Sequence, residues 1–370
     1  PVNLELALHY TRHEQCDKAA QAWRKAGRAV AMGGYFPALA AYCQFKLGND
    51  AAAFALFEKA EFGAPGRFEG LLEEIWGPRP ALVRHAEALA AYRAGRPTDI
   101  EALINVAFAE SSAAVLELIK AAKADAAAPQ SLQQLACLQP AIAAQATLLE
   151  RAVSGEQLDY GPEWDAAEAG VADLWRKTLG QCGLALPGQP LPASLALARN
   201  LLHRVNQQEL ATQAELLAAH GPALAALANS AEGNFEALDL LAALQMGAND
   251  RAAVAQSDEL GWQRYRSARF AASRVLGEAL KDDANAEAVA ALARRAWNDF
   301  PDDALVLWLV LEKGGLTGDD RRRALRSQIL AEFHGPTGEY LMHSGKSAIR
   351  LLQAVQAYRQ VVESTPASAP

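Results

Sequence analysis

The feature that most constrains this chain is a short helical hairpin pattern near its start. Residues 33–66 read as two helices joined by a turn at Gly48 and followed by a proline-glycine stop. Along the second helix Ala53, Phe57 and Ala60 fall at i, i+4 and i+7, so they share one face. Because a hairpin this short cannot bury its own apolar face, it needs similar hairpins beside it.

A shift of 34 residues places the beginning of the chain on this hairpin. The shift matches residues of the same kind: Ala7 with Ala41, Arg12 with Lys46, Ala19 with Ala53, Trp23 with Phe57, Lys25 with Lys59, and Ala26 with Ala60. Residues 331–336 repeat the pattern of residues 60–65, and a third echo, AWNDFP, occupies residues 296–301. Two positions depart from the pattern, since Glu14 stands where the turn glycine is expected and Ala31 where the closing proline is expected.

The pattern resembles the tetratricopeptide repeat, with Gly48, Ala53, Phe57, Ala60 and Pro65 matching as they stand. The resemblance implies an all-α fold, a right-handed superhelical stack of antiparallel helix hairpins that forms a TPR-like α-solenoid. It also implies an inner groove that holds an extended or helical segment of another protein. The middle third of the chain matches the pattern poorly, so its repeats are expected to be degenerate.

Repeat quality and loop composition divide the chain into four predicted segments. Residues 1–95 are expected to hold TPR-like repeats and residues 96–190 degenerate helical hairpins. Residues 191–363 are expected to return to TPR-like helical repeats, and residues 364–370 have the composition of a linker. The best candidate for an internal boundary is the proline-rich and glycine-rich stretch at residues 184–192.

Composition favours helices and argues against several classes of function. Alanine and leucine dominate, and hydrophobic residues make up 51% of the chain, enough for a continuous core. A net charge of −8 repels phosphate backbones, so nucleic acid is not an expected partner. The longest apolar run, residues 304–311, has less than half the length that a membrane span needs, and no membrane insertion is expected. These features predict a soluble, cytoplasmic protein.

The four cysteines, Cys16, Cys43, Cys137 and Cys182, have wide and irregular spacings and form no C-x-x-C pair. Such spacings indicate neither a zinc site nor a disulfide framework. The sequence therefore predicts buried free thiols in a reducing compartment.

No combination of residues predicts catalysis. His9, His13 and Cys16 fall on one helix face, but a fourth ligand is missing, so ordinary helix residues are favoured over a metal site. Acidic pairs at residues 282–283 and 302–303 resemble the magnesium clusters of all-helical synthases, yet they precede predicted helices, where acids act as caps. We therefore predict no catalytic residues, no metal and no cofactor.

The predicted binding site lies in the superhelical groove. The resemblance places Arg12 and Lys46 at equivalent helix ends and Tyr35, Tyr42 and Phe45 on the groove side. Two cations over an aromatic floor would bind an acidic side chain or a C-terminal carboxylate. The alternative is that both cations are solvated and that the aromatic rings pack between repeats.

These observations predict a bacterial-type scaffold or adaptor that binds a peptide or protein segment and serves a fused or recruited enzyme. One alternative is a helical accessory domain of a modifying enzyme such as a glycosyltransferase. A less favoured alternative is an all-α metal-dependent enzyme that uses the acidic clusters.

Overall fold

The computed structural model describes residues 2–27, 34–61, 75, 81–153, 161–184, 186–333 and 346–364. These residues form α-helices joined by turns and loops, and none of them is in a strand, so the predicted all-α fold class is confirmed. Ala31, Pro65, residues 334–336 and most of the linker-like tail lie outside the described ranges.

The described residues divide into two compact units, Pro1–Arg79 with Trp262–Pro370 (unit 1) and Pro80–Gly261 (unit 2). The first part of unit 1 contains α1 (Val2–Arg12), α2 (Cys16–Lys25), α3 (Phe36–Lys46) and α4 (Asp50–Phe57). Its second part contains α15 (Ala268–Ala279), α16 (Ala286–Asp299), α17 (Ala304–Lys313), α18 (Gly318–Phe333) and α19 (Lys346–Ser364).

Unit 2 contains α5 (Ala81–Arg93), α6 (Ile100–Glu110), α7 (Ser112–Ala124), α8 (Gln130–Cys137), α9 (Gln139–Val153), α10 (Pro162–Cys182), α11 (Leu195–Gln207), α12 (Gln213–Asn229) and α13 (Phe235–Gly247). Helix α14 (Arg251–Tyr265) contributes its first residues to unit 2 and its last to unit 1. The loop at residues 184–192 lies inside unit 2, and the segment boundaries predicted at residues 95 and 190 stay predictions.

The first two hairpins repeat one another in backbone geometry. Helices α1 and α3 end at equivalent residues, and the turns that follow place Glu14 (φ 54°) and Gly48 (φ 77°) in the left-handed region. In both turns this residue donates its N–H to the carbonyl three residues back, and the next residue donates to the carbonyl five residues back. This pair of hydrogen bonds is the Schellman motif, which satisfies carbonyl groups that have no partner within the helix at its end.

The same motif closes four further helices, α5, α10, α11 and α13. Its left-handed residues there are Gly95, Gly183, Glu209 and Asn249, with φ between 53° and 64°. Glycine adopts this conformation without steric cost, whereas a glutamate there is strained. The sequence therefore uses one turn design repeatedly, and in two of these four places it does so without glycine.

The two ends of the chain share one hydrophobic core in unit 1. Residues of α1–α4 pack with residues of α18 and α19, and the ring of Tyr42 lies 5.2 Å from that of Phe333. The ring of Tyr358 lies 6.3 Å from that of Phe45 and 5.8 Å from that of Phe54, measured between centroids. The first hairpins are thus stabilised by the last helices as well as by each other.

Both cysteine predictions are wrong, because the four thiols form two disulfides. Cys16 at the start of α2 bonds to Cys43 in α3, with the Cα atoms 4.9 Å apart. Cys137 at the end of α8 bonds to Cys182 at the end of α10, with the Cα atoms 6.0 Å apart. The long separations in sequence hid both pairs, since each joins residues on different helices and leaves no short motif.

One of the two acidic pairs singled out in the sequence supplies a helix cap, whereas α16 is capped by Asn285 and not by Asp282 or Asp283. Asp303 accepts N–H bonds from Leu305 and Val306 at 3.0 Å each, which confirms the predicted capping role of this acid.

Within the described ranges, no helix is both long enough and apolar enough to cross a membrane.

Candidate functional site

The structure places the two predicted cations as expected along the helices. Arg12 is the last residue of α1 and Lys46 the last of α3, and both side chains are exposed. Tyr35 is the half-buried N-cap residue of α3. Binding of a partner by these residues stays a prediction.

The two other aromatic rings lie in the core of unit 1. Tyr42 and Phe45 are both 0% exposed, so neither ring offers a surface to a ligand. The hydroxyl of Tyr42 donates to Oε1 of Glu14 at 3.0 Å. Burial, reinforced by the Glu14 carboxylate, raises the pKa of Tyr42, so the phenol stays protonated. This placement agrees with the alternative interpretation, in which these rings pack between elements of the fold.

Lys46 also has a partner within the chain. Its Nζ forms an ion pair with Glu14, and the same Nζ lies 5.9 Å from the centroid of the Tyr42 ring. Glu14, which the sequence marked only as a departure from the repeat, therefore holds two of the five predicted site residues.

Arginines of α18 and the candidate metal ligand Cys16 have partners within the fold. Arg326 binds Asp50 through two bonds of 2.8 Å, and Arg322 approaches the same carboxylate to 3.7 Å. Cys16 is consumed by its disulfide, so it is not available as a metal ligand beside His9 and His13. Across the residues that the structure describes, no group of three His, Cys, Asp or Glu side chains is arranged to hold a metal ion.

Unit 2 has a concave surface, a groove with a volume of about 690 Å³. One wall is a face of α5, and the other is formed by the end of α6 and the start of α7. The lining residues are His85, Ala86, Leu89, Ala90, Arg93, Ala94, Glu110, Ser111, Ala113, Ala114 and Glu117. We refer to this surface as the α5/α7 groove.

Small side chains dominate both walls of the α5/α7 groove. Ala86 and Ala90 on α5 and Ala94 directly after it are spaced four residues apart, so they form a row along this wall. Ala113 and Ala114 face them from α7. Because alanine side chains reach little beyond the backbone, another helix can approach these walls closely.

Polar contacts fix the separation of the two walls. The hydroxyl of Tyr92 on α5 donates to Oδ2 of Asp125 at the end of α7 at 2.7 Å. Burial and this bond raise the pKa of Tyr92 to about 12, and the bond lowers the pKa of Asp125. Arg93 adds an ion pair of 3.1 Å with Glu117, whose carboxylate also accepts from Lys120 at 2.7 Å.

Two titratable groups of the groove are left without such partners. The Glu110 carboxylate is half-buried and makes no ion pair or hydrogen bond with any described residue. His85 is 5% exposed, and neither ring nitrogen has a hydrogen-bond partner among the residues described. Burial lowers the pKa of His85, and the nearby Glu110 charge opposes that effect. The imidazole is therefore neutral at pH 7.

Sequence reasoning missed this groove because the middle of the chain lacks the repeat signature. The row Ala86, Ala90 and Ala94 is a four-residue spacing of small side chains, a signal that could have marked an open helix face. In an alanine-rich chain other helices carry the same spacing, so the spacing alone does not identify a groove.

Comparison with known proteins finds no matching family model, no matching curated protein and no matching solved structure. The function of the chain is therefore inferred from its own geometry.

Proposed function

We propose that this protein is a helical-repeat interaction protein of the tetratricopeptide type that binds a helical segment of a partner in the α5/α7 groove. The observation that carries the proposal is the groove itself, about 690 Å³ of open volume between two alanine-lined helix faces. Binding of an amphipathic helix in such a groove is a common mode of peptide recognition. In this proposal the described chain binds and does not catalyse.

The charges of the groove indicate the chemistry of the partner segment. Its apolar face would carry side chains at i, i+3 and i+4 that fit between the alanines and contact Leu89. Glu110 would pair with a lysine or arginine beside that face, because its carboxylate lacks a partner among the described residues. The chain's net charge of −8 also favours association with a basic segment.

The two disulfides bear on where this binding takes place. Cytoplasmic thiols are kept reduced, whereas disulfides persist in secreted and periplasmic proteins. Because all four cysteines of the chain are paired, we propose an oxidising compartment in place of the cytoplasm predicted from the sequence.

A peptide-display selection tests the groove and does not require an identified partner. Random 16-residue peptides would be selected against the wild-type chain, and enriched peptides would be synthesised and their dissociation constants measured. Ala90→Glu places a charge on the alanine wall, and we expect it to weaken binding of the enriched peptides at least about tenfold, or 1.4 kcal/mol.

Ala169→Glu is the matched control, because Ala169 is an exposed alanine on α10 that does not line the groove. We expect this variant to bind as the wild type does. Equal weakening by both variants, or by neither, would remove the α5/α7 groove as the binding surface.

A further inference from the structure

A second cleft, in unit 1, joins two motifs that the groove in unit 2 does not use. The cleft has a volume of about 240 Å³ and lies between the last turn of α16 and the middle of α18. Its lining residues are Trp297, Asn298, Pro301, Arg323 and Ser327. Three of these belong to the AWNDFP echo, and Arg323 belongs to the arginine-rich stretch of α18.

Trp297 is the residue that sets this cleft apart. Its side chain is 6% exposed, and its indole Nε1 has no hydrogen-bond acceptor among the residues described. Three other buried indoles donate to protein acceptors: Trp23 to Thr11 at 3.0 Å, Trp175 to Gln145 at 3.0 Å, and Trp262 to Asp299 at 2.7 Å. Buried N–H groups are normally satisfied, so Trp297, which lines this cleft, carries a donor with no acceptor among the described residues.

Arg323 is held against the same indole. Its guanidinium carbon lies 4.7 Å from the ring centroid of Trp297, which is a cation–π contact. Nη2 donates to Asp320 at 2.9 Å, and no described residue accepts from the other guanidinium nitrogens. Arg322 and Arg326 of the same helix are directed to Asp50, so Arg323 is the one of the three that lines the cleft.

The remaining polar groups of the cleft add hydrogen-bonding capacity. The Ser327 hydroxyl and the Asn298 amide make no side-chain hydrogen bond with the residues described. Among those residues no carboxylate lines the cleft, and the nearby Asp299 accepts from Trp262 and Arg266 instead. The described lining is therefore rich in donors and holds one cation, Arg323, whose ion-pair partner Asp320 lies outside the lining.

A donor-rich cleft with one fixed guanidinium is complementary to an oxyanion. A volume of 240 Å³ corresponds to about eight water molecules at roughly 30 Å³ each, which is room for a carboxylate or phosphate with a short attached chain.

We infer that the cleft between α16 and α18 is a binding site for a small oxyanion, a carboxylate or a phosphate, held by Arg323 and by the indole N–H of Trp297. Ser327 and Asn298 complete the donor set around the anion. The site lies in unit 1 and does not depend on the function proposed for the α5/α7 groove.

Nuclear magnetic resonance of the ¹⁵N-labelled chain tests the site directly. The chain has seven tryptophans, and the indole signal of Trp297 is identified by its absence in Trp297→Phe. Sodium acetate and sodium phosphate would be titrated separately, each against sodium chloride at matched ionic strength. We expect the Trp297 indole signal to move and saturate with one or both oxyanions, while the Trp23, Trp175 and Trp262 signals stay fixed.

Arg323→Gln removes the charge while keeping most of the side-chain length, and we expect it to weaken anion binding at least about tenfold. Arg321→Gln is the matched control, since Arg321 lies on the same helix outside the cleft lining. Saturation with acetate alone identifies a carboxylate site, and saturation with phosphate identifies a phosphate site. A Trp297 response equal to that in chloride, or one unchanged in Arg323→Gln, would overturn the inference.

Discussion

The hydroxyl of Tyr358 donates a hydrogen bond of 2.8 Å to Oδ2 of Asp50, across 308 residues of chain. Arg326 donates to both oxygens of the same carboxylate at 2.8 Å, so Asp50 receives bonds from α18 and α19 together. The Asp50 side chain is 12% exposed. This carboxylate therefore connects the first hairpins of the chain to its last two helices.

Replacing Asp50 with alanine should loosen the contact between the two ends of unit 1. The change leaves Arg326 and the Tyr358 hydroxyl without their acceptor, and we expect it to lower the free energy of unfolding by about 2–3 kcal/mol. Hydrogen exchange followed by mass spectrometry should show faster exchange in α18 and α19. Asp17→Ala is the control, because Asp17 also lies in the first turn of a helix but is exposed, so its loss should cost less than about 1 kcal/mol. Equal effects of the two changes would contradict the role given to Asp50.

The burial of Phe45 separates a core role from a binding role for this residue. Its ring is 0% exposed between α4 and α19, so Phe45→Ala should lower the free energy of unfolding by about 3–5 kcal/mol. Lys46→Ala, one residue later, removes an exposed ion pair with Glu14 and a distant contact with the Tyr42 ring, and it should cost less than about 1 kcal/mol. Urea unfolding followed by circular dichroism measures both. A Phe45→Ala variant as stable as the wild type would return this ring to the candidate binding surface.

The two disulfides should be detectable in protein purified without reductant. Intact-mass measurement should give a mass about 4 Da below that of the fully reduced chain, because each bond removes two hydrogens. The bonds close loops of 27 and 45 residues, for which chain entropy predicts about 3.5 and about 4 kcal/mol of stabilisation. We therefore expect Cys137→Ser with Cys182→Ser to be destabilised slightly more than Cys16→Ser with Cys43→Ser. Four thiols titrating with Ellman's reagent in the native, non-reduced protein would contradict the pairing.

The short-range parts of the fold follow from the sequence. The shift of 34 residues matches α1 with α3, and both aromatic residues that it aligns, Trp23 and Phe57, are buried in one core. Their helical spacing and the turn at Gly48 are local properties, so they can be predicted from the residues of a single hairpin. Helix α4 ends at Phe57, earlier than predicted, since Ala60 already donates to the Phe57 carbonyl in a tighter turn.

The long-range parts could not be predicted in the same way. Tyr42 and Phe45 were predicted on an open face because a hairpin repeat leaves that face uncovered. In the structure α18 and α19 pack there, and the echo at residues 331–336 gives no sign that these helices contact residues about 300 positions earlier. The α5/α7 groove was missed for a related reason, since the helices that form its walls are joined by the Tyr92 bond to Asp125, across 33 residues of chain, and carry no repeat motif.

Two glutamates at left-handed positions should respond differently to glycine. Glu209 (φ 53°) follows α11 and is exposed, so Glu209→Gly should raise the free energy of unfolding by up to about 1 kcal/mol through loss of steric strain. Glu14 (φ 54°) has the same backbone strain but also binds Tyr42 and Lys46. In Glu14→Gly the lost side-chain bonds offset the relief, so we expect no gain in stability. The denaturant midpoints of the two variants, compared with that of the wild type, measure both changes in stability. Stabilisation of both variants by the same amount would mean that the Glu14 side-chain contacts contribute nothing to the free energy of unfolding.

The stability of the protein should fall as the solution is acidified from pH 7 to pH 5. His85 and His220 are 5% and 3% exposed, and burial lowers the pKa of each below its usual value near 6.5. The unfolded chain therefore binds protons at these sites before the folded chain does. The contribution of these neutral imidazoles to the free energy of unfolding is fully present above about pH 6.5 and is lost below it, with a slope of at most about 1.4 kcal/mol per pH unit for each histidine.

Urea midpoints at pH 7.5, 6.5, 5.5 and 5.0 measure the slope, and the double variant His85→Gln, His220→Gln should reduce it. His9→Gln is the control, because His9 is exposed, and its slope should equal that of the wild type. A wild-type midpoint that does not change between pH 7.5 and pH 5.0 would show that neither imidazole is kept neutral by the fold.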